Sequence, residues 1–397
     1  MTESFDILVS GGGIAGLAAS AAFGTAGYSV LCVDPAPPVT ERDAGGADLR
    51  TTAILQPGRD TLEAAGLWAS LAPHATPLEV MSIADAGGAQ GAIGVIKSFR
   101  AEDVSDQPFG WNLPNWRLKR EMVARLEALP NVTFRTGVQT TGLIRRGAGA
   151  RVQLSDHTSI KARLVIAADG RDSPMRQAAG IDVRTRRYGQ KALAFAVTHS
   201  QPHYNVSTEI HKSGGPFTLV PMQDVAGKPS SAVVWMDDGP AQVARAQMET
   251  AAFEREINAR ACEVLGQLSL ASPRSIWPII SQRALRLVGP RLALIAEAAH
   301  VVPPIGAQGL NMSLKDIATL LELARAQDDP GDAKALASYE RKRMADICLR
   351  VAGIDMLNRV SQGGGPLFAE ARAKALEALH IISPVRKTLM RLGLGTA

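Results

Sequence analysis

The chain is poor in cysteine and in aromatic residues. Cys32, Cys262 and Cys348 are three in 397 residues, odd in number and far apart. That pattern argues against a disulfide framework or a cysteine metal site and predicts buried, reduced thiols of a cytosolic protein. Aromatics are 5% of the chain, and the net charge of +5 is spread along it. With no basic stripe interleaved with aromatics, nucleic-acid binding is not expected. There is no internal repeat and no low-complexity linker. Charge is missing altogether from residues 7–33, a stretch long enough to suggest a membrane span. Six glycines at 11, 12, 13, 16, 24 and 27 argue against a span, and Glu3 and Asp6 stand where a signal peptide would carry Lys or Arg. The expectation is an untargeted, soluble, cytoplasmic chain, long enough for two or three cores and with ordinary globular usage of 46% hydrophobic and 20% charged residues.

Against that plain background, three segments stand out. The first is Gly11-Gly12-Gly13-Ile14-Ala15-Gly16, between an apolar run at Phe5–Val9 and an alanine-rich helical pattern from Ile14 to Ala26. A lone G-x-G-x-x-G is a weak signal, but a strand before it and a helix after it are the context that dinucleotide binding requires. Gly11 lets the chain turn sharply, Gly13 lets backbone approach a pyrophosphate, and Gly16 lets helix and strand pack closely. The helix N-terminus, including Ile14 and Ala15, offers unpaired N–H groups and partial positive charge. A second strand at Tyr28–Val33 ends at Asp34, placed to take ribose hydroxyls about 20 residues after the glycines. A glycine-rich turn without a ligand is the alternative.

The second segment follows a strand pattern at Arg163–Ala168 and reads Asp169-Gly170-Arg171-Asp172-Ser173-Pro174-Met175-Arg176. By itself it is a turn with Ser173 as helix cap and Pro174 as first helical residue. The third follows a strand pattern at Arg291–Ala296 and runs Glu297-Ala298-Ala299-His300 into a loop ending Pro304-Ile305-Gly306-Ala307-Gln308-Gly309-Leu310-Asn311. Together, in this order, the three resemble the class A flavoprotein aromatic hydroxylases, in particular the ubiquinone-biosynthesis branch. Asp169, Gly170, Ser173 and Arg176 match that family's second fingerprint, which touches both FAD and the nicotinamide nucleotide. Pro304, Gln308, Gly309, Asn311 and Asp316 match its third. Four positions depart from the pattern: Ala296, Ala307 and Ser313 replace glycine, and Glu297 replaces aspartate.

The resemblance covers essentially the whole chain. It implies a Rossmann-like α/β FAD-binding domain of the para-hydroxybenzoate hydroxylase type, with an inserted antiparallel-sheet substrate domain and a C-terminal helical segment. The expected division is 1–75, 99–180 and 278–345 for FAD, 76–98 and 181–277 for substrate, and 346–397 for the tail. Alternating segments at Leu193–Thr198, Phe217–Pro221 and Ala232–Met236 fit such a sheet. Residues 241–265 read as a helical stretch, since neither Pro nor Gly interrupts it. The resemblance further implies that Arg50, in Asp48-Leu49-Arg50, neutralises FAD phosphate and that Arg117, at the start of an amphipathic helix over Leu118–Leu129, contacts the flavin. Glu297 would reach the ribityl hydroxyls, Gln308, Gly309, Leu310 and Asn311 would bind the cofactor, and backbone groups of the Pro303–Gly309 loop would hold the flavin's reactive edge.

The implied chemistry is oxygen insertion into an electron-rich phenol, driven by NAD(P)H through FAD. Ordinary side chains supply neither an electron store nor an activated oxygen, so the cofactor carries that chemistry. No acid or base stands out. His300, beside the flavin loop, is a weak catalytic candidate, with a loop-shaping hydrogen bond as the other reading. The implied substrate is a polyprenylated phenol of ubiquinone biosynthesis, with a small soluble phenol or a flavin-poor lipid-binding scaffold as alternatives. Ile381, Ile382, Val385, Leu389 and Leu392 share one helical face with Arg386, Lys387 and Arg391 nearby. Such a basic amphipathic helix could dock peripherally on the inner membrane face or on a biosynthetic complex.

Overall fold

The computed structural model describes residues 3–86, 93–146, 149–212, 214–362, 387–388, 390–391 and 393. Most of the C-terminal amphipathic face expected at 381–392 lies outside those residues.

Runs of apolar residues with little alternation form strands buried on both faces. Ser4–Ser10 pairs in parallel with Val30–Asp34 on one side and with Ser159–Ala167 on the other. Val132–Thr136 and Leu292–Leu294 extend the parallel array at its two sides. Ile7, Leu8, Val9, Leu31, Cys32, Leu164, Val165 and Ile166 have no exposed surface, as this packing requires. Burial, helped by the nearby Asp34 charge, pushes the Cys32 thiol up to about 12. Cys262 and Cys348 are half-buried, more open than the sequence pattern suggests.

The register matters for function. Ser10 pairs with Ala167 and with Val33, and Ala167 pairs with Leu294, so the carboxyl ends of four strands reach one edge together. Asp34 closes one of these strands, and Gly11, Asp169 and Glu297 follow the others within three residues. Ligands of open parallel sheets bind at that edge.

A second, nine-stranded sheet runs through Ser275–Ala284, Val183–His199, Lys228–Asp238, Pro216–Val225 and Val206–His211 to Val80–Asp85 and Val95–Arg100. It is antiparallel except that Val206–His211 and Val80–Asp85 run in parallel, an exception that alternation could not reveal. Its own core includes edge-to-face pairs, Phe195 with Phe253 at 5.0 Å and Phe217 with Trp235 at 5.4 Å. The short strand His300–Val301 joins this sheet through Ser275–Ala284, directly after the parallel-sheet edge. A third sheet of Thr51–Leu55, Gly110–Pro114 and Thr76–Leu78 lies between them in sequence.

Two expected elements differ. The helix expected over 241–265 is two, Gly239–Gln247 and Thr250–Ala261, with Met248 extended between them. The break lets Gln242 donate to the Trp235 carbonyl at 2.8 Å while Phe253, Ile257 and Ala261 turn onto the sheet core. Tertiary packing overrides local propensity here. The strand expected over Arg291–Ala296 stops at Leu294, and Ala296–Ala299 forms a helical turn instead.

Candidate functional site

The glycine turn divides its work among three positions. Gly11 has φ +102°, and a methyl group there would meet the Ala168 carbonyl oxygen at 2.4 Å. At Gly16 a methyl would lie 1.8 Å from the Gly11 carbonyl oxygen, so helix Ile14–Thr25 can approach the strand only without a side chain. Gly13 is different: its φ is −69°, and a methyl would meet nothing within 4 Å. The protein itself does not need glycine there; open space in front of the helix N-terminus does.

Asp34 reaches back to this turn. Its Oδ2 accepts from the Gly12 amide at 2.6 Å and its Oδ1 from the Ala36 amide at 3.0 Å. Each oxygen keeps a further lone pair facing the strand edge.

Asp169 stands beside the turn with one oxygen committed. Its Oδ2 accepts from the Met175 amide at 3.0 Å and the Ser10 hydroxyl at 3.3 Å. Its Oδ1 is buried and has no hydrogen-bond partner. Burial pushes the carboxyl up, against the opposing effects of Ser173 and the Met175 amide. An unpaired buried carboxylate oxygen at a ligand edge is costly unless a bound donor completes it. Ser173 caps the following helix, its Oγ accepting from the Arg176 amide at 3.0 Å. Arg176, expected to touch nucleotide, is instead 4% exposed and donates to the Ala298 carbonyl at 3.0 Å. It ties the second motif to the third as a positioning residue. Gly170, at φ +83°, has open space where a side chain would stand.

Arg50 is half-exposed and grips Asp48 with two bonds of 2.7 Å, while its guanidinium lies 5.2 Å from the centre of the Trp277 ring. The Asp48 carboxylate raises its pKa further, with Glu297 contributing. Glu297 is exposed at the strand edge. Arg117 stacks on Trp116 at 4.4 Å and pairs with Glu121 at 3.5 Å.

The third motif ends at helix Gln308–Arg325, whose first turn has no side-chain cap. Its first N–H groups have no partner within the helix, leaving donors at Gly309 and Leu310 for a ligand. Gly309 is exposed and open where a side chain would stand, and Leu310 packs against the main core. Gln308 and Asn311, expected as ligand contacts, spend their side chains on the fold. Asn311 donates to the carbonyls of Ala53 and Ala307 and accepts from the Leu55 amide, all at 2.7–2.8 Å. Gln308 donates to the Gly306 and Gly393 carbonyls and accepts from Arg350 at 2.5 Å.

The weak catalytic assignment of His300 is corrected. Its side chain is 1% exposed, and Nε2 lies 2.7 Å from Asp316 Oδ2. Asp316 is fully buried and also accepts from the Ala296 amide at 3.1 Å and Arg343 Nε at 2.7 Å. Burial works to raise its pKa, but His300 and Arg343 hold it below the ordinary range. Arg343 continues to Asp346, and Asp346 to Arg350, so one chain of charges runs from the third motif to Gln308. Sequence reading found Asp316 as a match but missed Arg343, Asp346 and Arg350. Their spacing of three and four residues along one helix was the available signal.

Asp346 carries a pH prediction. Burial opposes ionisation, yet Arg343 and Arg350 bring its pKa down to about 2. A depressed carboxylate stabilises the fold above its unfolded pKa and loses that contribution as pH falls through the folded one. Urea midpoints should therefore fall between about pH 4 and pH 2, and replacing Asp346 with asparagine should remove about 2 kcal/mol of that dependence. An unchanged acid limb in the variant would contradict the assignment.

Two departures from the family glycines sit where glycine is easiest. Ala296 has φ +54° and Ala307 φ +55°, both in the left-handed region. An alanine there costs roughly 1–2 kcal/mol, part of which a glycine returns through unfolded-state entropy. Ala307→Gly should raise stability by about 0.5–1 kcal/mol in chemical denaturation. A loss of similar size would show that the methyl group packs productively. Ser313, a further departure, hydrogen-bonds the Gly309 carbonyl at 3.1 Å and is accommodated in the helix.

These features fit FAD: open space at Gly13, an unpaired Asp169 oxygen, and uncapped donors at Gly309, all along one strand edge. They define a flavoprotein of the para-hydroxybenzoate hydroxylase type. The chain belongs to the FAD binding domain family, which it matches over residues 4–348, and within it to the ubiquinone hydroxylases. It is 33% identical over 395 residues to ubiquinone hydroxylase UbiL of Rhodospirillum rubrum, covering 98% of this chain and 90% of the relative. It is 26% identical to the 3-demethoxyubiquinol 3-hydroxylase of Escherichia coli, covering 98% of each. In fold it resembles p-nitrophenol 4-monooxygenase PnpA of Pseudomonas putida, with a TM-score of 0.79 at 18% identity over 99% of both chains. Klebsiella pneumoniae HpxO, solved with FAD and uric acid, superposes with a TM-score of 0.76 at 20% identity over 97% of both. The cofactor is FAD, and the chain is an FAD-dependent monooxygenase.

Proposed function

We propose that this protein hydroxylates the ring of a polyprenylated phenol in ubiquinone biosynthesis, with NAD(P)H as electron donor and dioxygen as oxygen source. The observation that carries the placement is the common carboxyl edge, where Gly13, Asp34, Asp169 and Glu297 follow strands held in register. FAD, when bound, supplies the electron storage and oxygen activation that side chains lack.

The chain's own residues bind, orient and exclude water. The N-terminus of helix Ile14–Thr25 takes the pyrophosphate, where its backbone donors and dipole favour negative charge. Asp34 takes ribose hydroxyls with its remaining lone pairs, and Asp169 Oδ1 accepts from the cofactor. Arg50 offsets phosphate charge, and Glu297 faces the ribityl chain. Arg117 contributes positive charge beside the flavin. Gly309 and Leu310 present backbone donors to the flavin ring. The DG turn at Gly170 is the place for the nicotinamide nucleotide, with Ser173 and Arg176 holding its shape. The proposed division is an FAD-binding body at 1–75, 99–180 and 278–345, a substrate body at 76–98 and 181–277, and a tail from 346, with three of these bounds falling inside single elements, Val95–Arg100, Ser275–Ala284 and helix Ala333–Gln362.

The second sheet supplies an apolar wall. Ala192, Met236 and Ile279 pack against Ile305 of the flavin loop and Ile354, with Tyr188 and Trp277 at the edge. This packed contact closes the flavin loop against the second sheet, and an aromatic ring with an isoprenoid tail needs apolar, water-excluding surroundings of this kind beside the reacting oxygen. A substrate of this kind partitions into bilayers, which supports peripheral association with the inner membrane face or with a biosynthetic complex. Among the described residues, no helix is long and apolar enough to cross a membrane.

The test is a purified protein that carries oxidised-flavin absorbance, oxidises NAD(P)H only with a prenylated phenol present, and adds one oxygen atom to it. Equal stimulation by short soluble phenols would move the substrate assignment to those compounds. A colourless protein that added FAD does not convert would support the scaffold reading.

A further inference from the structure

A cavity of about 450 Å³ lies between Val183–His199, Ser275–Ala284 and the second half of helix Ala333–Gln362. Arg184, Arg186 and Arg283 line it against one acid, Asp355. That acid is already shared, pairing with Arg186 at 2.5 Å, with the Tyr188 hydroxyl at 2.7 Å and with Arg359 at 3.3 Å. Arg283 reaches the Met344 sulfur at 3.7 Å, a weak acceptor for a guanidinium. Asp182 is exposed close by on the chain. With Arg359, four arginines therefore meet two acids, and the patch holds uncompensated positive charge.

An apolar ridge borders the same cavity. Leu349, Met356, Leu357 and Val360 are 69%, 62%, 52% and 51% exposed. Positions 349, 356 and 360 are seven and four apart, so they fall on one helical face. The lining residues Cys348, Ala352 and Asp355 lie one position earlier, on the adjoining stripe. Large exposed apolar side chains beside excess arginine form an interfacial surface, in which apolar groups enter the acyl boundary and cations meet phosphates. A second copy in a two-fold contact would set these arginines against their own kind, which charge disfavours.

We propose that this face docks the protein on an anionic phospholipid surface, with Leu349, Met356 and Val360 entering the lipid and Arg184 and Arg283 meeting phosphates. It gives the membrane association proposed above a specific surface, and rests on that reading for its biological purpose.

The full-length FAD-loaded protein is sedimented with phosphatidylcholine vesicles and with vesicles that also contain phosphatidylglycerol. Partitioning should favour the anionic vesicles and fall about ten-fold or more in both Met356→Glu/Val360→Glu and Arg184→Glu/Arg283→Glu. No preference for anionic vesicles, or undiminished partitioning in either double variant, overturns the proposal. So does light scattering that shows the Met356→Glu/Val360→Glu protein at a smaller oligomeric mass than the parent, which assigns the ridge to a second copy. Flavin content and phenol-dependent NAD(P)H oxidation with detergent-dispersed substrate, read on the same samples, should be unchanged in the variants. Absent phenol-dependent oxidation in the parent would sink the hydroxylase reading and leave the vesicle result standing.

Discussion

Gly13→Val yields a folded protein that does not retain FAD. The backbone at Gly13 has an ordinary φ of −69°, and a Cβ added there meets no protein atom within 4 Å. Urea stability of the flavin-free variant should therefore match the flavin-free parent to within about 0.5 kcal/mol. FAD affinity should drop roughly 100-fold or more, about 2.7 kcal/mol, because the branched side chain fills the space in which phosphate oxygens meet the helix N-terminus. Gly16→Ala is the contrasting case. Its methyl group would stand 1.8 Å from the Gly11 carbonyl oxygen, so helix and strand must separate and stability falls with or without flavin. The pair separates a glycine needed by the ligand from one needed by the fold. Equal destabilisation by both changes would remove the argument for a phosphate at Gly13.

Arg343→Met costs about 3–5 kcal/mol of folding free energy. The substitution leaves Asp316 buried with one fewer compensating cation, and removing one partner of a buried pair is far more damaging than removing both. Asp316 takes bonds from His300, the Ala296 amide and Arg343 at once. Its loss of compensation should loosen the third motif as well as the helix pair. The double variant Asp316→Leu/Arg343→Met should be less destabilised than the two single variants summed, by 1 kcal/mol or more in a double-mutant cycle. Additive effects would show that the two residues do not act as a unit.

Much of the nucleotide-binding half was legible because local rules and tertiary structure agree there. Phe5–Val9, the glycine turn and Ile14–Ala26 each obey a short-range preference that parallel-sheet packing reinforces. The division of labour among the glycines was also readable, since Gly11 and Gly16 meet backbone within 2.4 Å while Gly13 faces open space. What failed did so where long-range contacts decide. No local signal marks the break at Met248, which exists to aim Phe253 and Ile257 at a sheet. The parallel pairing of Val206–His211 with Val80–Asp85 joins segments over 100 residues apart. The buried charge chain was half visible: Asp316 stood in a motif, but no motif singled out Arg343 or Arg350. His300 drew notice for its position beside the loop, and only burial shows that its ring serves Asp316. Arg176 and Asn311 illustrate the same limit, because a family motif records which residue is required and not whether it touches the ligand or holds what does.

The central claim is that FAD lies along one strand edge from the Gly11–Gly16 turn to the N-terminus of helix Gln308–Arg325. A crystal structure of the FAD complex tests it most directly. The account predicts pyrophosphate over Gly13, a cofactor donor within hydrogen-bond distance of Asp169 Oδ1, and the flavin ring at the Gly309 and Leu310 amides. Flavin bound elsewhere, with Asp169 Oδ1 still unpaired, would contradict it.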